Sequence, residues 1–175
     1  MISIESTAPP ERPLYLCVKP PAAALPELRR LRASLGIESR YAIECLHNTF
    51  LVLGEASAAR IDAARNALAS FHAEPFEVSF DHVEGATLKP RKGPRAPGLF
   101  QRALARHFAW SGLAPPEYDF RLHLNLDYLP ASDRRAAIAP LAWTVEEILL
   151  VESASGRHVV HARRGLVARQ YTMAL

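Results

Sequence analysis

From Asp119 to Tyr128 polar and apolar residues alternate without a break: Asp119, Arg121, His123, Asn125 and Asp127 against Phe120, Leu122, Leu124, Leu126 and Tyr128. Successive side chains of a strand point to opposite faces. This segment is therefore predicted to bury one face and to present His123 and Asn125 side by side on the other. A second segment, Leu46 to Leu53, places His47 and Thr49 in the same relation. Two strands, each offering a histidine and a small polar residue two positions later, suggest a matched pair of titratable groups.

The remaining periodicities supply a frame for that pair. Leu14 to Val18 reads as a buried strand stopped by Pro20-Pro21, and Ala22 to Leu35 as a helix with Leu25, Leu28, Leu31 and Leu35 on one side and Gly36 as its stop. Tyr41 to Leu53 is predicted to be the first histidine-bearing strand. Ser57 caps a helix from Ala58 to Phe71. The second half runs from a strand at Phe76 to Phe80 through a basic, Pro-rich loop to a helix from Gly98 to Ser111, then the strand from Asp119. A polar turn at Pro130 to Arg134, a strand from Trp143 to Glu152, a turn at Ser155-Gly156 and a strand from Val159 to Ala168 complete the chain. Each half thus reads strand, helix, histidine-bearing strand. The predicted class is α+β: bilobal, pseudo-twofold, two mainly antiparallel sheets lining a central cleft with helices outside. Residues 1–13 are expected to form a flexible N-terminus and 14–175 a single domain of two interleaved lobes.

With 175 residues, 49% of them hydrophobic and 22% charged, the chain has globular values, neither those of a disordered segment nor those of a membrane protein. The N-terminus lacks the basic start and apolar stretch of a secretory signal, so the cytoplasm is the expected location. Cys17 and Cys45 sit inside apolar runs and are expected to be reduced thiols. Net charge is only +3, but from Gly85 to Pro116 there is no acidic residue while Lys89, Arg91, Lys92, Arg95, Arg102 and Arg106 all occur. That excess could attract a phosphate or a polyanion, or could be a solvated loop and the outer face of a helix.

Two imidazoles titrate near neutrality, so one can accept a proton while the other donates one. Phosphodiester hydrolysis needs both, a base for the attacking water and an acid for the departing oxygen. Thr49 and Asn125 could donate hydrogen bonds to the non-bridging phosphate oxygens. The scheme needs no cofactor and no metal.

His47-Asn48-Thr49-Phe50 is a His-x-Thr-x tetrapeptide followed by an apolar run and Gly54, and His123-Leu124-Asn125-Leu126 is a second copy with Asn where Thr or Ser is usual. The pair resembles the 2H phosphoesterases, in particular the bacterial LigT-like RNA 2′,3′-cyclic phosphodiesterases, also called 2′-5′ RNA ligases. Pro75-Phe76-Glu77-Val78, the helix ending near Gly112-Leu113, and Trp143 to Ser153 before a turn and a final strand look like that family's C-terminal half. The resemblance implies a bilobal fold with both histidines in a central cleft. It also implies His47 as proton donor to the leaving oxygen and His123 as the base that activates water, opening a 2′,3′-cyclic phosphate of RNA or a nucleotide to a 2′-phosphate, with reverse 2′-5′ ligation as a related capability. No obligatory protein partner and no membrane are implied.

Asn125 can still donate to phosphate but lacks a hydroxyl, and Asp127 on the same face would repel an anion unless it pairs with an arginine or orients His123. The alternative reading is an RNA- or nucleotide-binding module with a degenerate, weakly active site. Arg121, Lys89, Arg91, Lys92 and Arg95 are candidate substrate contacts, Arg121 being equally suited to an ion pair with Asp119 or Asp127. Tyr15, Phe50, Phe100, Tyr118 and Tyr128 are candidates to stack a base, most of them expected in the core. His158 and His161 lie at an odd separation that sends strand side chains to opposite faces, which argues against a shared metal.

Overall fold

The computed structural model describes residues 12–90, 92, 95–113, 119–128, 133–154 and 157–168. Two four-stranded antiparallel sheets carry the molecule, with neighbours in the order β2-β1-β7-β8 in one and β5-β4-β3-β6 in the other. The first sheet consists of β1 (Pro13–Val18), β2 (Asn48–Glu55), β7 (Glu147–Ala154) and β8 (Arg157–Gly165). The second consists of β3 (Phe76–Glu84), β4 (Thr87–Lys89), β5 (Leu124–Asn125) and β6 (Arg135–Val145). Helix α1 (Leu25–Ser34) connects β1 to β2, α2 (Ala58–Ser70) crosses from the first sheet to the second, and α3 (Arg95–Trp110) connects β4 to β5. The class is α+β, as predicted, and the C-terminal hairpin β7–β8 returns to complete the sheet that the N-terminal strands began.

Burial follows position in the sheet. β1 and β7 are interior strands, and Leu14 to Val18 and Ile148 to Glu152 are buried along their length. Continuous apolar runs are what a strand covered on both faces requires. The second sheet buries one face, with Phe76, Val78 and Phe80 inward and Glu77 outward. One core joins the inner faces of the sheets to α1, α2 and α3. Among the described residues no helix is long and apolar enough to cross a membrane.

Several elements differ from expectation. The segment Trp143–Glu152 is two strands, broken at the exposed Glu146: β6 ends at Val145 in the second sheet and β7 begins at Glu147 in the first. The physical cause lies in the pattern, which changes there from alternating to continuously apolar as the chain passes from a half-covered sheet to a fully covered one. The segment 41–53 enters β2 through a 3-10 turn at Ile43–Cys45, so the strand starts only at Asn48. Between Asp119 and Tyr128 the expected burial is present, with Leu122, Leu124 and Leu126 buried, but only Leu124–Asn125 pair, because the partner β4 is three residues long. β4 itself was not anticipated. It forms a hairpin with β3 in which Glu84 pairs with Thr87 around Gly85, whose φ of 61° suits a tight two-residue loop.

At the N-terminal end, β1 starts at Pro13, one residue before the expected boundary, and Arg12 binds the buried Glu152 carboxylate through Nε at 2.7 Å.

Candidate active site

Each histidine stands one residue before a strand: His47 before Asn48 of β2, His123 before Leu124 of β5. Each also makes the same local bond. His47 Nδ1 lies 2.9 Å from the Cys45 carbonyl oxygen and His123 Nδ1 lies 2.8 Å from that of Arg121. A carbonyl only accepts, so both Nδ1 atoms carry the hydrogen and both Nε2 atoms are left as the reactive nitrogens. The equivalence extends to Thr49 and Asn125, each half-buried two positions further on.

The two rings are near enough for the charge of His123 to act on His47. His47 is held below the ordinary histidine range, first by burial; its bond to the Cys45 carbonyl acts upward, and the charges of Lys19 and His123 act downward. His47 is therefore neutral in the free protein at pH 7.

Beside His123 a cleft of about 720 Å³ is lined by Asn125, Thr87, Lys89, Glu84 and Arg121. Thr87 Oγ1 donates to Asn125 Oδ1 at 2.8 Å across the β4–β5 pair. With Oδ1 accepting from Thr87, Nδ2 is the donating end of the amide. Asn125 can therefore hold an anion in place of a hydroxyl provided Thr87 fixes it. Thr87→Val keeps the strand-forming shape and removes that bond. A net hydrogen bond of about 1 kcal/mol corresponds to a fall in kcat/KM of roughly 5- to 10-fold, measurable in the hydrolytic assay described below.

The basic candidates divide. Lys89 and Arg121 line the cleft, yet Lys89 is paired with Glu84, and Arg121 binds the exposed Asp119 at 3.0 Å. Lys92 and Arg95 are exposed and do not line it. Arg91 and Tyr118 lie outside the described residues. Asp127 Oδ1 accepts the Tyr128 backbone N–H at 2.7 Å, and its charge acts on Arg32 of α1. Arg32 also donates to the Tyr41 carbonyl at 2.8 Å and to the Leu126 carbonyl, strapping one histidine segment to the other. Of the aromatic candidates, Tyr15, Phe50 and Phe100 are buried, while Tyr128 remains 59% exposed, edge-on to Tyr41 with ring centroids 5.2 Å apart. Its hydroxyl interacts with Asn125 and Tyr41.

Sequence reasoning missed Thr87, Arg32, Tyr41, Lys19 and His158. The hairpin signal at Glu84-Gly85-Ala86-Thr87 could have placed Thr87. Nothing local marks His158, which reaches His47 because β8 pairs with β7, β7 with β1, and β1 with β2, the strand that His47 precedes. The imidazoles of His47 and His158 meet edge-on with centroids 4.9 Å apart. His161, on the same strand, instead reaches Glu152 at 2.9 Å.

His158 is held down to about 4 by burial, then by the charges of His47 and Lys19. The unfolded chain binds this proton near pH 6.5 and the folded chain only near 4, so stability is complete above 6.5 and falls as the pH drops toward 4. His47, also lowered, acts in the same direction. The carboxylates held low, Glu44, Glu84 and Glu152, add their own loss only below their ordinary value of 4.5. Urea unfolding midpoints are expected to fall between about pH 6.5 and 4.5, and to fall less in His158→Phe.

No protein-family model and no curated protein matches the chain. Solved structures do. Apo LigT of E. coli superimposes with a TM-score of 0.72 at 24% identity, over 92% of this chain and 100% of that one. A protein described as a phosphoesterase gives 0.71 at 20% identity over 90% and 99%. TT0787 of Thermus thermophilus gives 0.67 at 16% over 90% and 100%. The chain has the LigT fold.

Proposed function

We propose that this chain is a 2H phosphoesterase of LigT type, a hydrolase that opens a 2′,3′-cyclic phosphodiester at an RNA or nucleotide end to a 2′-phosphate in the cytoplasm. The observation that carries this reading is the matched pair of histidines, each with Nδ1 tied to the carbonyl two residues back and Nε2 without a hydrogen-bond partner among the described residues. In the reaction His123 Nε2 takes a proton from water as its oxygen attacks phosphorus. The P–O3′ bond breaks, and His47 Nε2–H delivers its proton to O3′. The order of roles follows the family resemblance. His47 is neutral in the free protein, and an anionic phosphate seated against it favours the protonated form the step requires. Thr49 and Asn125 hold the non-bridging oxygens. A 5′-hydroxyl in place of water would yield a 2′-5′ linkage.

Structures of E. coli LigT with phosphate, ATP and 3′-AMP support a phosphate or nucleotide as the occupant. A polynucleotide is favoured by α3, where Arg95, Arg102 and Arg106 recur on one exposed side while Gly98 of the same helix lines the cleft. The purified chain should therefore open 2′,3′-cyclic mononucleotides, and open short RNAs bearing the same end with higher kcat/KM that declines with salt. Both activities should persist in EDTA and yield the 2′-phosphate. Salt-sensitive RNA binding without any ester opened would leave the binding-module reading, which the amide at Asn125 favours, and would end the hydrolytic one.

A further inference from the structure

His47 is flanked by rings from two parts of the fold. Tyr15 of β1 lies face to face with it, centroids 5.2 Å apart at 20°, and His158 of β8 meets it edge-on at 4.9 Å and 79°. His158 Nε2 is 3.1 Å from the Tyr15 hydroxyl and 3.2 Å from the Tyr41 hydroxyl, whereas its Nδ1 is buried with no hydrogen-bond partner among the described residues. The tautomer follows from cost. A proton on Nδ1 would be a buried donor with nothing to accept it, while a proton on Nε2 finds a phenol oxygen and leaves only a lone pair at Nδ1. Tyr41, receiving that proton's bond, passes its own hydroxyl hydrogen to the Cys45 carbonyl at 3.0 Å. The same carbonyl accepts His47 Nδ1–H. One chain of bonds thus runs from His158 through Tyr41 to the carbonyl that orients His47.

We propose that His158 is a positioning residue for His47: a neutral imidazole that braces the ring edge-on and, through Tyr41 and the Cys45 carbonyl, fixes the direction in which His47 Nε2 points. This rests on the reading of His47 as the proton donor. Neutrality is part of the role, because a cation 4.9 Å from His47 would oppose the protonation that the leaving oxygen needs. The groups facing His158 agree with it. They are His47, Tyr15 on β1, Tyr41 in the loop, Ser153 as its cross-strand partner on β7, and the charge of Lys19; among the described residues no carboxylate joins them. Glu152, the nearest acid along β7, is bound by Arg12 and His161 instead. Burial first, then the charge of Lys19 and any proton gained by His47, keeps His158 uncharged throughout the neutral range.

Two measurements on the full chain decide the proposal: the NMR titration of the His47 imidazole, and hydrolysis of a 2′,3′-cyclic mononucleotide across pH. His158→Phe keeps a ring without a polar atom and should lower kcat about tenfold, with KM within about twofold, as expected when orientation of an acid is lost. His158→Gln keeps a neutral donor and should recover most of that rate. His158→Lys should move the His47 titration, and the alkaline limb of the kcat profile, to lower pH. Wild-type kcat and an unmoved His47 titration in the Phe and Lys variants would overturn the proposal, as would a Gln variant no better than Phe. If the wild-type chain opens no cyclic phosphate, the hydrolytic reading falls, while the His47 titration still tells whether His158 governs that ring.

Discussion

Alanine at His47, or at His123, is expected to lower kcat for opening a 2′,3′-cyclic phosphate by about 100- to 10,000-fold, the range over which one general acid or base acts. KM should change little, since Thr49 and Asn125, rather than the imidazoles, hold the non-bridging oxygens. Removing both histidines should cost much less than the product of the single losses, because acid and base serve one displacement. In wild type the rate should rise and then fall with pH as one ring loses and the other keeps its proton. Each alanine variant should lose one limb of that profile, and the limb that disappears assigns the role: loss of the alkaline limb in His47→Ala makes His47 the acid. Both rings stand at strand entries and are only half-buried, so the variants should fold, with unchanged far-ultraviolet circular dichroism. Two variants with wild-type rates would end the assignment.

The alternation from Asp119 to Tyr128 correctly told that Leu122, Leu124 and Leu126 go in, a property of the pattern itself, although Tyr128 at its end stays exposed. It did not tell how much of the segment is hydrogen-bonded. That is set by a three-residue partner, β4, whose own composition carries little signal. The same limit explains Tyr41 to His47. Its apolar residues suit a strand, but the Cys45 carbonyl collects the Tyr41 hydroxyl and His47 Nδ1–H while Lys19 Nζ takes the Glu44 carbonyl at 3.0 Å, and these contacts favour a turn. The departure at Asn125 was legible as a departure. Its compensation by Thr87 was not, since it depends on β4 lying beside β5. The His158–His161 interval argues only against a shared metal, yet the structure brings His158 against His47 through three strand pairings. Local pattern therefore reveals which residues could do chemistry, and long-range pairing decides which of them meet.

Phe50→Ala is expected to be the most destabilising of the substitutions considered, by about 3–5 kcal/mol, the usual cost of emptying a buried phenylalanine site. Phe50 is wholly buried on β2 next to Thr49, and its ring contacts Phe76 of β3 at 5.8 Å, Phe100 of α3 at 5.3 Å and Phe120 at 4.9 Å. Those partners make it more than a core residue. Phe120 begins the segment that carries His123, so Phe50 fastens the second histidine segment to the back of the strand that follows the first. Against a total stability of roughly 5–15 kcal/mol, such a loss leaves a chain that is partly unfolded at about 37 °C. Phe50→Leu retains most of the volume and should cost less, about 1–2 kcal/mol. Denaturant unfolding gives the numbers, with the midpoint falling at an unchanged slope. A loss below about 1 kcal/mol in the alanine variant would show that the four rings are not packed as described. The contrast with the histidine variants is the sharper test of the site: His47→Ala should lose rate at wild-type stability, whereas Phe50→Leu should keep its rate until the temperature at which the chain unfolds. If instead Phe50→Leu lowered kcat well below its unfolding temperature, the distance between the two imidazoles would have to be set by this aromatic cluster as well as by Arg32.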